Sequence, residues 1–157
     1  MPRFFRDWLG MATLAVMLVA CGGTDEVPPF EVDEAIQPFV GTWDAEVFTV
    51  TSEATPTRVF DLFDPIVTGS FDLKVEPSGF YTAILVFGGI PLVEMGQLSV
   101  NDGFVTLRPN APGASAATSA FTFFEASYLQ LLGPTEFDYN LDGTLEAAEA
   151  LIEIRRR

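Results

Sequence analysis

The chain has 157 residues, 48% hydrophobic and 13% aromatic, which suffices for one domain with a buried core and is too apolar for a disordered tail. Eight Lys and Arg against 22 Asp and Glu leave a formal net charge of −14, so nucleic acid is not expected as a partner, and a cationic protein, a cation or simple solubility suits the sign better. There is no His and only one Cys, which removes most acid–base, nucleophilic and zinc chemistry and any disulfide within the chain.

The N-terminus carries Arg3 and Arg6, an apolar run from Leu9 to Ala20, and small residues before Cys21, the order of an export signal. The run is shorter than the roughly 20 apolar residues that span a bilayer. Leu18-Val19-Ala20-Cys21 resembles the lipobox of bacterial lipoproteins, whose signal is cut just before a cysteine that becomes lipid-modified. The resemblance implies a signal peptide over residues 1–20 and a mature chain held to the membrane through acylated Cys21. Gly22 stands where Asp would retain a lipoprotein in the inner membrane. The implied place is the bacterial cell envelope, on the outer membrane facing the periplasm. Residues 21–38, with Asp25, Glu26, Glu31, Asp33 and Glu34 beside Pro28, Pro29 and Pro38, read as an acidic flexible tether.

From Phe39 to Arg157 the pattern has period two, the mark of half-buried strands in one domain. VGTWDAEVFTV and TRVFDLF open the series, and in IVTGSFDLKVE the residues Val67, Phe71, Leu73 and Val75 alternate with Thr68, Ser70, Asp72, Lys74 and Glu76. Pro77-Ser78-Gly79 turns the chain into FYTAILVF; Gly88-Gly89 and Pro91 break before LVEMGQLSV; Asn101-Asp102-Gly103 makes a hairpin into FVTLR. Residues 109–118 read as a loop, followed by SAFTFF, SYLQLLG and a last strand near Ile152. Short turns imply antiparallel neighbours, and about eight or nine strands without open edges imply an all-β meander closed into a barrel.

Gly41-Thr42-Trp43 at the start of the first strand resembles the Gly-x-Trp of the lipocalins, and SYLQLLG with the C-terminal FDYNLDGTLEAAEALIEIRRR is similar to the final strands of bacterial lipocalin-like lipoproteins. The resemblance implies an up-and-down barrel over residues 39–157, a small hydrophobic ligand, and a basic residue, one of Arg155, Arg156 or Arg157, packed across Trp43. Independently, 15 Phe against three Tyr suit an apolar interior, either packed or hollow. Asp61 and Glu94 are carboxylates lying among hydrophobics, and the register that turns both to solvent is the expected one. No acid and base pair stands out, so the expectation is a non-enzymatic protein that requires no cofactor.

DYNLDGTLEAAE places Asp138, Asn140, Asp142, Gly143, Glu146 and Glu149 at the ligand spacing of a calcium-binding EF-hand loop. Three features oppose that frame. Gly133-Pro134 leaves only Thr135, Glu136 and Phe137 for an incoming helix, Leu141 is bulky where the loop carries a small residue, and the motif occurs once. The expected structure is a β-hairpin or loop around Asp142-Gly143, with Asp138, Asn140, Asp142 and Glu149 as the oxygens available to Ca²⁺. A calcium-stabilised interaction domain is the alternative to the ligand-binding barrel.

Overall fold

The computed structural model describes residues 33–140 and 142–157, so the expected signal peptide, the lipobox from Leu18 to Cys21 and most of the tether lie outside the described residues. Nine strands follow one another: β1 Gly41–Ser52, β2 Val59–Asp61, β3 Ser70–Val75, β4 Phe80–Phe87, β5 Ile90–Asn101, β6 Phe104–Pro109, β7 Ala117–Glu125, β8 Tyr128–Phe137 and β9 Glu146–Arg156. Every strand from β3 to β9 pairs antiparallel with the next, and β9 returns to pair with β1. The result is a closed eight-stranded up-and-down barrel, with β2 added along the upper part of β1. It is the architecture that the alternation and the lipocalin resemblance implied.

The turns obey local chemistry. Gly88 and Gly89, with φ of 56° and 79°, and Asp102 and Gly103, with φ of 47° and 82°, take the left-handed conformations that two-residue hairpin turns need to match the strand twist. The Gly88-Gly89 turn lies at one end of the barrel, called the mouth here, together with the chain between β1 and β3, the β6–β7 loop and the β8–β9 loop. The Asp102-Gly103 turn lies at the other end, the base, with both chain ends of the barrel.

The base is packed shut. Asp33 begins a turn that leads into a short 3₁₀ helix, Gln37–Phe39, and both Ile36 and Phe39 are buried. The last residues of the expected tether are therefore a plug, docked because two apolar side chains repay the ordering of a short segment. Phe39 packs edge-on against Phe121 and Phe123, with ring centroids 5.0 and 5.2 Å apart. Trp43 is fully buried, and its indole N–H donates to the carbonyl of Phe39 at 2.8 Å.

Arg156 is the arginine that crosses Trp43, its guanidinium 4.5 Å from the ring centroid, and it also donates to the carbonyl of Pro38. Gly41 has φ of 142°, and a Cβ there would meet the Arg156 side chain at 3.5 Å, so Gly41, Trp43 and Arg156 form one packed unit. Arg155 instead lies over Tyr128 and pairs with Glu46, while Arg157 forks onto Asp44 at 2.6 and 2.7 Å and reaches Asp72 at 2.9 Å. That fork holds the Asp44 carboxyl below its ordinary range, whereas burial and the Asp44 charge push Asp72 up. These outer pairs are exposed and contribute little.

Arg156→Ala is expected to destabilise the protein by about 2 kcal/mol, because it removes a cation–π contact and a charged donor at once. Arg156→Lys should recover less than half of the loss, since an ammonium lacks the planar fork. Urea unfolding of the three proteins measures both; an Arg156→Ala midpoint equal to the unmodified protein's would remove this contact from the account of closure.

Candidate functional site

The inward side chains fill the barrel only near its base. Near the base they are Trp43, Tyr81, Leu98, Val105, Leu129 and Ile154, all buried, and a void of only about 30 Å³ lies among the packed side chains there. Towards the mouth the inward positions include Ala83, Ala117, Ser119, Gly133 and Ala150. Side chains this small cannot meet across a barrel of this strand number. A hollow of about 500 Å³ remains, lined chiefly by Phe48, Phe71, Leu85, Leu107, Leu131 and Ile152. Phe60, Phe87 and Phe137 crowd its rim, with Phe60 4.6 Å from Phe137 and 5.6 Å from Phe87 between ring centroids.

A bulge in β1 makes this lining. The register against β9 shifts between Ala45 and Val47, after which Phe48 and Val50 face Ile152 and Ala150. Without the extra residue Val47 and Thr49 would point inward and Phe48 would face out. Phe48 instead meets Phe71 edge-on at 5.4 Å, forming the aromatic wall of the hollow.

The wall opens between β5 and β6. β6 ends at Pro109 opposite Gly96, so β5 from Ile90 to Met95 has a ladder partner only on its β4 side, apart from the Asn110 N–H that donates to the Met95 carbonyl at 2.9 Å. At Gly96 a Cβ would lie 2.1 Å from the Arg108 carbonyl oxygen and 2.8 Å from the Tyr81 ring, so only glycine lets the strands approach there before they part. Pro91 fits such an edge because it has no N–H to leave unpaired. Ile90, Leu92, Val93 and Met95 are all more than half exposed in consequence. The gap forms a second hollow of about 660 Å³, which shares Phe48, Phe71, Leu85 and Leu92 with the first.

Glu94 opens onto the second hollow; it is exposed, as expected, but from the inner face of β5 and through the gap. Glu94 pairs across the ladder with Ala83, whose side chain faces the interior, so its carboxylate is on the inner face and lines the second hollow. Its Oε1 accepts the Tyr81 hydroxyl at 2.7 Å. Burial above all, and then the bond to Glu94, push the Tyr81 phenol far above its ordinary value, so Tyr81 remains a donor at any physiological pH. Alternation alone could not find this, because β5 is apolar on both faces. Asp61 follows expectation: it is exposed at the end of β2 and accepts the Phe63 N–H at 2.9 Å.

The loop between β8 and β9 is a turn, not a helix–loop–helix unit, with Phe137 paired to Glu146 across its base. Asp138 accepts from the N–H of Gly143 at 2.7 Å and of Asp142 at 3.2 Å; Asn140 accepts the same Asp142 N–H at 3.3 Å; Asp142 accepts from Thr144 at 2.7 Å. Gly143, with φ of 87°, supplies the bend. Glu149 does not join them. It sits within β9, opposite Pro134 and Thr51, one position on from inward-facing Ala148, and so on the outer face. Among the described residues no three carboxylates or thiols form a group able to hold a metal ion. The Thr144 backbone N–H holds the Asp142 carboxyl below its ordinary range, so this capping is present above the ordinary carboxylate range and is lost as pH falls through the lowered value.

No family model matches the chain, and no curated protein matches it. Among solved structures it is similar to the EF1p2_mFAP2b protein bound to DFHBI, with a TM-score of 0.49 and 17% identity over 78% of this chain and 97% of that one. It is similar also to a de novo designed fluorescence-activating β-barrel, with a TM-score of 0.41 and 13% identity over 80% of this chain and 99% of that one. A protein of unknown function from the DUF3598 family of Nostoc punctiforme gives a TM-score of 0.43 and 13% identity over 76% of this chain and 48% of that one. The barrel assignment stands on the chain's own strand register.

As a self-capped turn, the loop is expected to give the same melting temperature in Ca²⁺ and in chelator. A rise with Ca²⁺ that Asp138→Ala abolishes would instead make it a calcium staple, and would revive the calcium-stabilised alternative.

Proposed function

We propose that this chain is a non-enzymatic, lipid-anchored protein of the bacterial envelope whose barrel takes up a small hydrophobic ligand. One observation carries the ligand reading: a hollow of about 500 Å³, walled by Phe48, Phe71, Leu85, Leu107, Leu131 and Ile152, inside a barrel closed at one end. That volume is within the range of small-molecule pockets, and its few polar groups suit orientation of a ligand more than catalysis. With no His, and with its one Cys in the proposed lipobox, the chain is without the commonest general base and without a thiol in the barrel, which supports the non-enzymatic reading.

The anchor rests on Leu18-Val19-Ala20-Cys21, and the outer-membrane destination on Gly22 after the cysteine. Acyl chains each contribute about 0.8 kcal/mol per buried CH₂, which holds a multiply acylated cysteine without a spanning helix. Cys21→Ser is therefore expected to leave the membrane fraction and to lose the acyl mass on the cysteine. An unchanged acylated product in the membrane pellet would sink the anchoring.

For the ligand reading, the uncharged dye Nile red is expected to bind the purified protein with a blue-shifted emission. Ala150→Phe, whose ring would enter the hollow that Ala150 lines, should weaken that binding by at least about tenfold with little change in melting temperature. Absence of any emission shift with the unmodified protein would overturn the proposal.

A further inference from the structure

The proposed ligand site has a polar side whose sign is uniform. The charged residues that line the two hollows are Glu94, Glu136 and Asp138. None of the described basic residues lines either one. Arg58 pairs with Glu146 and stacks on Tyr139, Lys74 pairs with Glu76, Arg108 projects from the opposite face of β6 to inward Leu107, and Arg155, Arg156 and Arg157 are engaged at the base. An anionic head group brought into this space would lose water without gaining a cation, and would stand beside carboxylates. A cationic one would meet the opposite situation.

Glu94 is the carboxylate placed to hold it. It is exposed at the β5–β6 gap and lines the second hollow, whose wall also includes Phe71 and Leu85, two of the residues shared with the first. Buried Tyr81 takes Oε1, while Oε2 has no hydrogen-bond partner among the described residues. An amphiphile with its head at the gap and its chain along the aromatic wall would thus satisfy both ends. We propose that the barrel selects a hydrophobic amine, its ammonium paired with Glu94 and its chain in the hollow lined by Phe48 and Phe71. This deepens, and rests on, the reading of the hollow as a ligand site. Tyr81 is the positioning residue, since its hydroxyl fixes the carboxylate on the inner face.

A purely structural Glu94, present only to accept the Tyr81 hydroxyl, would give no preference among head groups. The decisive experiment is displacement of Nile red from the full chain by dodecylamine, dodecanol and laurate, each kept below micelle formation, at pH 7. The amine is expected to compete about tenfold better than the alcohol, the value of one partly solvated charge-assisted hydrogen bond, with laurate weakest. The amine-to-alcohol ratio should shrink in 1 M salt with the unmodified protein. In Glu94→Gln it should fall to within about twofold, although the protein as a whole keeps nearly all of its negative charge.

Laurate binding as tightly as the amine, or a ratio that Glu94→Gln leaves intact, overturns the amine proposal while dye and alcohol binding keep the ligand site. Failure of the dye itself to bind overturns both.

Discussion

The pairing of β1 with β9 is the constraint on which the rest depends. It runs from Trp43 opposite Arg156 to Ser52 opposite Ala148, and it converts a strand meander with two open edges into a closed wall. Closure gives the domain an inside that no local element could create. The unit of Gly41, Trp43 and Arg156 locks the ladder at its base, joining the first strand to the last and both to the plug at Phe39. The start of β1 and the end of β9 meet there, and the base is packed while the opposite end keeps the hollow.

Two departures from a regular ladder then shape the hollow and open it to the outside. The bulge after Ala45 rotates the upper half of β1 and brings Phe48 inward, while the contact at Gly96 marks where β5 leaves β6 and opens the wall. Each is a small backbone change with a large effect, because a one-residue shift in a strand exchanges its two faces. The exposed apolar residues of β5 follow from the second departure: the strand keeps its hydrophobic inner face but loses the neighbour that would cover it.

Charge is distributed with the same logic. A net charge of −14 in a chain with eight basic residues leaves few cations to place, and the C-terminal arginines are spent on the base. The interior and its openings are consequently apolar with a carboxylate border. The polar groups of the β8–β9 loop turn inward on their own backbone, so a motif with the letters of a metal loop serves as the connection that delivers β9 to its place beside β1.

The strands and their number, the antiparallel meander, the hairpin turns and the turn at Asp142-Gly143 were all legible in the sequence, because each depends on alternation and turn chemistry within a few residues. The choice of Arg156 over its neighbours was not legible, since it depends on the register of β9 against β1. Nor was the inward direction of Glu94, because a strand apolar on both faces carries no alternation to read. The plug at Ile36 and Phe39 was hidden by the acidic, proline-bearing sequence around it. The hollow itself was undecidable from composition, as a Phe-rich barrel can be filled or empty. Local chemistry determined which segments became strands; only closure decided which side chains face one another across the barrel, and small ones facing small ones leave space.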